Sequence, residues 1–373
     1  MAPDLRIPAE LLPADGRFGS GPSKIRPEQV AALSAAGTTL LGTSHRQKPV
    51  RSLVGHIRAS LTEILGLPDG YEIVLGIGGS SAFWDVATLC LVEHRSAHGV
   101  FGEFGAKFAA ATARAPFLGE PAVSQVEPGE VVVPAPVDGA DVYAWPHNET
   151  STGVMAPVWR DPRYGDALVV VDATSAAGAL PVDISQADVY YFAPQKVLAS
   201  DGGLWLAAVS PAAIERAARI ESSGRWVPEF LSFSAAVTNS RQDQTLNTPA
   251  LSTLILLAEQ LDWIQGNGGL AWSVARSAAS AGHLYSWAQA RDWALPFVAD
   301  EAARSTVVGT VDLLPPIEAP TVTSVLRANG VVDTEPYRRL GRNQLRVGMY
   351  PAVDPADVLA LTACVDWVVE HLD

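Results

Sequence analysis

The sequence predicts an α/β fold made of a large domain with a mainly parallel sheet, residues 27–266, and a smaller α+β domain, residues 267–373. Three observations predict it. The 373 residues exceed the roughly 250 to 300 at which one hydrophobic core stops growing. Short β-rich apolar runs alternate with helical patterns, which is typical of a parallel sheet covered by helices. Glycines 266, 268 and 269 end a long apolar helix and indicate a boundary.

The predicted helices and strands follow from the spacing of apolar residues and from the residue types at helix ends. Ser210 and Pro211 have the residue types of an N-cap and a first helical position. In the last helix, apolar residues recur on one side. The large domain is predicted to contain strands at 72–77, 131–133, 142–145, 168–171, 189–193 and 204–209, and helices at 82–94, 211–220 and 250–264. The small domain is predicted to contain helices at 272–291 and 355–372 and a strand at 345–350. Residues 1–26 are expected to form an arm that packs near the small domain.

Composition excludes several classes of protein. Apolar residues make up 48% and charged residues 18%, so the chain has a large core and is not disordered. The net charge of −14, with no basic run, disfavours nucleic-acid partners. Cys90 and Cys364 lie far apart and form no CxxC pair, which suits a reducing cytoplasm. The N-terminal stretch is acidic and the sequence has no long apolar run, so we predict that the protein is neither secreted nor membrane-spanning. His94 and His98 have no third ligand in view, so we predict no metal.

A carboxylate and an amine follow two neighbouring strands of the predicted sheet. Asp172 ends the run 168–171, and Lys196, one of four lysines, follows 189–193 by three residues. Ligands of open α/β sheets bind at the carboxyl ends of the strands. An amine and an acid at that edge suit a pyridoxal phosphate enzyme, in which lysine forms the Schiff base and the acid keeps the pyridine nitrogen protonated. An ordinary salt bridge is the alternative.

Other motifs could bind anions. The loop from Gly76 to Ser81 precedes a helix and could hold a phosphate at the helix N-terminus, although a tight turn or a dinucleotide fingerprint fits it as well. His45 and Arg46 could bind a substrate phosphate, or could form a solvated basic turn. Arg346, near the start of its strand, could bind a carboxylate through two parallel hydrogen bonds.

In their order along the chain, these motifs resemble the phosphoserine aminotransferase family, class-V aminotransferases of fold type I that use pyridoxal phosphate. The resemblance runs nearly end to end. The residues that carry it are Phe18-Gly19-Ser20-Gly21-Pro22, Ser44-His45-Arg46, Gly78-Gly79-Ser80-Ser81, Asn148-Glu149-Thr150, Asp172, Ala193-Pro194-Gln195-Lys196, Leu246-Asn247-Thr248-Pro249 and Arg346.

The resemblance implies a role for each site residue. Lys196 and Asp172 would be catalytic, with Lys196 forming the Schiff base and Asp172 pairing with the ring nitrogen. Cofactor binding would fall to Ser80, Ser81, Phe104, Thr150, Gln195 and, from the second subunit of a homodimer, Asn247 and Thr248. Arg346 would bind the substrate α-carboxylate, and His45 and Arg46, also expected from across the dimer, would bind its phosphate. The N-terminal arm would pack near this site.

Two departures from the family pattern concern the phosphates and the cofactor ring. Many relatives have an arginine where this chain has Ser81, and a tryptophan where it has Phe104. Many also direct a histidine at the substrate phosphate, where this chain offers Arg338, Arg339 and Arg342.

The implied activity is a ping-pong transamination. Glutamate would give 2-oxoglutarate, and 3-phosphooxypyruvate would give O-phosphoserine for serine synthesis; the phosphohydroxythreonine of vitamin B6 synthesis is a second expected substrate. The alternatives are another class-V aminotransferase of the alanine–glyoxylate type, a cysteine desulfurase, a nicotinamide dehydrogenase using Gly76, Gly78 and Glu103, and a binding module without catalysis.

Overall fold

The computed structural model describes residues 5–372 and contains a large mixed sheet and a small antiparallel sheet. The strands are β1 Glu72–Ile77, β2 Ser96–Val100, β3 Ala122–Gln125, β4 Val142–Pro146, β5 Asn148–Glu149, β6 Val154–Met155, β7 Leu168–Asp172, β8 Val189–Phe192, β9 Leu204–Val209, β10 Ala294–Pro296, β11 Val308–Leu313 and β12 Gln344–Gly348. The helices are α1 Pro27–Ala36, α2 Lys48–Leu65, α3 Gly79–Cys90, α4 Glu103–Ala113, α5 Pro211–Ser222, α6 Phe233–Ser240, α7 Leu251–Gly266, α8 Gly269–Gln289, α9 Ala319–Ala328 and α10 Pro355–Glu370.

The large sheet has seven strands in the order β1-β9-β8-β7-β4-β2-β3. Pairing is parallel from β8 through to β3, whereas β9 runs antiparallel to both of its neighbours. Strands β4, β7, β8 and β9 are buried along their whole length, as expected for a sheet covered on both faces. One face packs on α2 and α7, and the other packs on α3, α5 and α6. The predicted α/β fold with a mainly parallel sheet is confirmed.

The last part of the chain builds a second core around the sheet β10-β11-β12. Helices α8, α9 and α10 supply most of its buried side chains, and Ile7 and Phe18 of the N-terminal arm join them. Buried residues of this part, among them Val307 and Tyr350, also belong to the core of the large sheet. The domain boundary between residues 266 and 267 stays a prediction.

Several predicted elements were wrong in place or extent. Residues 131–133 are irregular, because Pro134 and Pro136 follow and cannot donate to a ladder; β3 is the edge strand instead. The helix predicted from residue 82 already begins at Gly79, since Gly78 takes a positive φ of 115° as its N-cap, and it ends at Cys90. Strands β2 and β11 and helix α4 were not predicted. Within residues 5–372, none of the helices combines the length and apolarity needed to cross a bilayer.

Candidate active site

The carboxyl ends of β4, β7 and β8 meet at one edge of the large sheet and open into a cavity of about 360 Å³. Asp172 is the last residue of β7, and Lys196 lies four residues beyond the end of β8. Both side chains line the cavity, as sequence spacing predicted. The same cavity is lined by Ser80, Ser81, Trp84, Phe104, Asn148, Thr150, Thr174, Ser175, Gln195 and the glycines and proline of the N-terminal arm and of two loops.

Lys196 is a buried amine with few close partners. The residue is only 7% exposed. Its Nζ donates to Thr150 Oγ1 at 2.7 Å and lies 4.8 Å from the centre of the Phe104 ring. Burial lowers the pKa of Lys196 to about 8, against the opposing charges of Asp172 and Glu149. The N-terminal arm crosses the lysine stem at Gly21, where a Cβ atom would lie 2.8 Å from Lys196 Cε. The site therefore presents an amine that is partly neutral near physiological pH.

The turn that carries Lys196 has a strained backbone. Ala199 adopts a positive φ of 44°, which costs a non-glycine residue about 1 kcal/mol or more. Gln29, fully buried on α1, donates through Nε2 to the carbonyls of Ala199 and Leu256, both at 2.8 Å. Its Oε1 accepts from the Arg26 N–H at 2.9 Å. One amide thus ties α1 and α7 to the turn that follows the lysine.

Asp172 is held by neutral donors. Its Oδ1 accepts from the Thr174 N–H at 2.9 Å and from the Thr174 hydroxyl at 2.5 Å, and its Oδ2 accepts from Trp84 Nε1 at 3.4 Å. Trp84 also donates to the Tyr191 hydroxyl at 2.9 Å. Neither Trp84 nor Thr174 was selected from the sequence as a site residue. The available signals were the position of Trp84 four residues after Ser80 on one helix face, and the Asx-turn spacing of Asp172 and Thr174.

The N-terminus of α3 forms a cradle for an anion. Gly78 and Gly79 have positive φ values of 115° and 74°, and no side chain caps the helix. Its free N–H groups and the helix dipole favour negative charge at this end. Ser80 and Ser81 lie in its first turn, and Ser80 Oγ hydrogen-bonds Thr174 Oγ1 at 2.6 Å.

Phe104 forms one wall of the cavity and depends on a buried carboxylate. Glu149, 0% exposed, accepts through Oε2 from the N–H groups of Phe104 and Gly105 at 3.0 and 3.1 Å. Its Oε1 accepts from the Ser151 N–H and hydroxyl at 3.1 and 2.6 Å. Burial raises the pKa of Glu149, and these four donors oppose that rise. The carboxylate fixes the start of α4 and with it the aromatic ring.

Arg346 lies beside the cavity on β12. Its Nη1 donates to the Thr150 carbonyl at 3.3 Å, so Thr150 links it to Lys196. Its Nε is buried without a partner, and burial lowers the pKa of the guanidinium. The arginine retains donors for a ligand. Of the three other arginines considered, Arg339 pairs with Glu103 and Arg342 with Asp312 at 2.5 Å.

Besides Arg346, four of the predicted residues do not line this cavity. Thr248 Oγ1 lies 3.2 Å from His45 Nδ1, and the Arg46 guanidinium donates to Gln244 at 3.4 Å. Asn247 and Thr248 are exposed. His45 is buried with its Nε2 unpaired, and its pKa is lowered by burial and by Arg46. These residues group together away from the Lys196 cavity of their own chain.

The composition of the cavity fits pyridoxal phosphate. An amine, a carboxylate and an aromatic wall surround a space that ends at an uncapped helix N-terminus. Asn148 Oδ1 and Gln195 Oε1 are buried there without a hydrogen-bond partner, which indicates a polar ligand because buried polar atoms are normally paired.

Comparisons with known proteins agree with this interpretation of the cavity. The class-V aminotransferase family model matches residues 137–334. A relative from Mycolicibacterium vanbaalenii is 63% identical and the phosphoserine aminotransferase of Nocardioides sp. is 59% identical, each alignment covering 100% of both chains. The solved phosphoserine aminotransferase of Cytophaga hutchinsonii has a TM-score of 0.86 at 20% identity and covers 96% of this chain, with 100% of its own length matched. The fold is that of fold type I aminotransferases.

Proposed function

Because the chain belongs to the class-V aminotransferase family, and within it to the phosphoserine aminotransferases, we propose that it transfers an amino group reversibly between L-glutamate and 3-phosphooxypyruvate in serine biosynthesis. The observation that carries this proposal is the buried amine of Lys196 beside Asp172 in one cavity. Membership of this family rules out the alternative of a nicotinamide dehydrogenase. Glu103, which that alternative would use, is the first residue of helix α4. A desulfurase also needs an accessible thiolate, whereas Cys90 and Cys364 are buried with their pKa raised to about 11 by burial.

The cofactor is pyridoxal 5′-phosphate, and the cavity offers a partner for each part of it. Lys196 would hold the aldehyde carbon, Asp172 the ring nitrogen and Thr150 the ring hydroxyl, while Phe104 would cover a ring face. Ser80, Ser81, Gln195 and the start of α3 would hold the phosphate. When bound, this group supplies the electron sink for the electron pair of the substrate Cα–H bond.

The chain itself supplies the proton transfer. A lysine whose pKa is near 8 can take a proton from the substrate Cα and return one later, because general bases work best near the operating pH. Thr150 fixes its Nζ, and the Ala199 turn fixes its backbone. The Asp172 carboxyl group is fixed at the cavity wall because Thr174 and Trp84 donate to its two oxygens. Arg346 would bind the α-carboxylate that both substrates share.

We further propose a homodimer in the cytoplasm whose active sites each use both subunits. His45 and Arg46 would bind the substrate phosphate, and Asn247 and Thr248 the cofactor phosphate, of the partner's cavity. Their grouping on a partly exposed surface outside their own cavity supports this arrangement. Mixing inactive Lys196→Ala with inactive Arg46→Ala subunits tests it. Random exchange should restore about a quarter of the wild-type sites, because half of the dimers are mixed and each has one intact site. No recovery after exchange would contradict the sharing of Arg46.

A spectroscopic and exchange assay tests the reaction. Purified protein loaded with pyridoxal phosphate should absorb in the visible region, and Lys196→Ala should lose both that absorbance and activity. Glutamate should react with 3-phosphooxypyruvate far faster than with unphosphorylated hydroxypyruvate. Equal rates on the two ketoacids would remove His45 and Arg46 from the phosphate role. Use of 4-phosphohydroxy-L-threonine stays a prediction that the same assay can address.

A further inference from the structure

The stretch from Thr334 to Asn343, here called the 334–343 segment, lies between α9 and β12 and approaches the active site. It is fixed to β12 where the Arg346 N–H donates to the Thr334 carbonyl at 2.9 Å. It turns where the Leu340 N–H donates to the Tyr337 carbonyl at 2.9 Å. This path places the Tyr337 ring 5.3 Å from the guanidinium carbon of Arg346 and 6.1 Å from the ring of Phe104. Tyr337 therefore contacts both the arginine and the aromatic wall.

The guanidinium of Arg346 has little else to fix its orientation. One hydrogen bond, at 3.3 Å to the Thr150 carbonyl, holds one end, and the buried Nε has no partner. A planar cation is attracted to the face of an aromatic ring within about 6 Å. The face of Tyr337 thus restricts how Arg346 can rotate, and its fork must be oriented before it can receive a carboxylate.

An ion pair joins the 334–343 segment to α4 two residues beyond Tyr337. Arg339, two residues further along the 334–343 segment, pairs with Glu103, the first residue of α4 and the neighbour of Phe104. Arg339 is 72% exposed in its side chain, so the pair is a weak, salt-sensitive tether. Lys107, on α4 itself, pairs with the same Glu103 carboxylate at 3.2 Å and offers a matched control.

We propose that Tyr337 is a positioning residue that orients Arg346 for the substrate carboxylate, and that the Arg339–Glu103 pair keeps it in place. The inference rests on the proposed function only in taking Arg346 as the carboxylate ligand. Both amino-acid substrates and both ketoacids carry that carboxylate. Loss of Tyr337 should therefore weaken the two half-reactions alike.

Calorimetric titration of the cofactor-loaded enzyme with glutarate, a nonreactive dicarboxylate, measures this role directly. Tyr337→Leu should weaken glutarate binding about tenfold, a size between those of an exposed and a fully desolvated cation–π contact, because Tyr337 is half-buried. Tyr337→Phe keeps the ring and should stay within about twofold. Affinity for inorganic phosphate should not change in either variant. In kinetics, Tyr337→Leu should raise KM for glutamate and for 3-phosphooxypyruvate by similar factors with a smaller effect on kcat.

The tether gives an independent test that leaves Tyr337 intact. Arg339→Met should weaken glutarate binding about threefold at low salt, the size expected of an exposed ion pair, and much less at high salt. Lys107→Met removes a cation from the same carboxylate and should leave glutarate binding within about twofold at both salt concentrations.

Arg346→Gln separates the possible failures. If it weakens glutarate binding while Tyr337→Leu and Arg339→Met do not, the role of Tyr337 is wrong and the proposed function stands. If Arg346→Gln has no effect, the carboxylate assignment itself fails. If Tyr337→Leu does not fold, Arg339→Met decides: an unchanged glutarate affinity at low salt overturns the inference, and a salt-dependent loss that Lys107→Met does not share supports it.

Discussion

Titration of the cofactor-free protein should show Lys196 to be an unusually reactive amine. Burial lowers its pKa from 10.5 to about 8. At pH 7.5 about a quarter of the side chains should then be neutral, against roughly one in a thousand for an ordinary lysine. Since only the neutral amine attacks an acylating reagent, this corresponds to an advantage of roughly 200-fold in the reactive fraction. The expected pH profile has its midpoint near pH 8 and reaches a plateau above about pH 9.

The assay is the rate of labelling of Lys196 between pH 6 and 11 by a small amine-reactive reagent. Peptide mass spectrometry can locate the label because the chain has only four lysines. N-acetyl-lysine amide in solution gives the reference profile. Glu149→Gln provides a second perturbation, since removing a buried negative charge should lower the pKa of Lys196 by about 1. A profile that still rises above pH 10 in the unmodified chain would refute the argument from burial, and a rise of the pKa in Glu149→Gln would refute the role of that charge.

Further predictions concern the buried groups around the site. In urea titrations, Gln29→Ala should lower the free energy of unfolding by about 1 to 3 kcal/mol, because two buried carbonyls lose their donor. Adding Ala199→Gly to this variant should recover part of the loss, since glycine accepts the positive φ. Cys90 and Cys364 should resist maleimide at pH 8 in the native protein and react after unfolding; fast native labelling would contradict their burial. With the cofactor removed, Lys196→Met should unfold at higher urea concentration at pH 7, but should gain little near pH 10.5.

The central sheet could be predicted where strands are continuous apolar runs, as in β4, β7, β8 and β9. Strand β2 escaped prediction because its sequence, Ser-Ala-His-Gly-Val, carries no apolar run, although all five residues are buried. Its His98 is accommodated by hydrogen bonds to Ser96 at 2.9 Å and Thr112 at 3.1 Å. Tertiary contacts across the sheet, rather than local pattern, make this segment a strand.

Within the site, the position of a residue was predictable where a strand end determines it. Asp172 and Lys196 follow buried strands, and the parallel order of β7 and β8 brings them together. Tyr337 could not be placed in the same way, because it reaches the site from the irregular stretch between α9 and β12, whose packing the sequence does not encode locally. The roles of the selected residues stay predictions. Their grouping into a cavity set and a set outside it is a result of the three-dimensional structure.

The burial that makes Lys196 reactive also costs stability, and the signs of the two effects are linked. The pKa of Lys196 is lower in the folded protein, so between pH 8 and 10.5 the unfolded chain binds more protons and stability rises with pH. Below pH 8 both states are protonated, and the folded state carries a penalty of about 3 kcal/mol. Asp172 and Glu149 raise the pKa and keep this penalty from being larger. At pH 7 roughly one Lys196 side chain in ten is neutral, whereas a stronger base would be almost entirely protonated and a weaker one would cost more to fold. The two carboxylates therefore set the compromise at which the lysine can both be buried and exchange a proton.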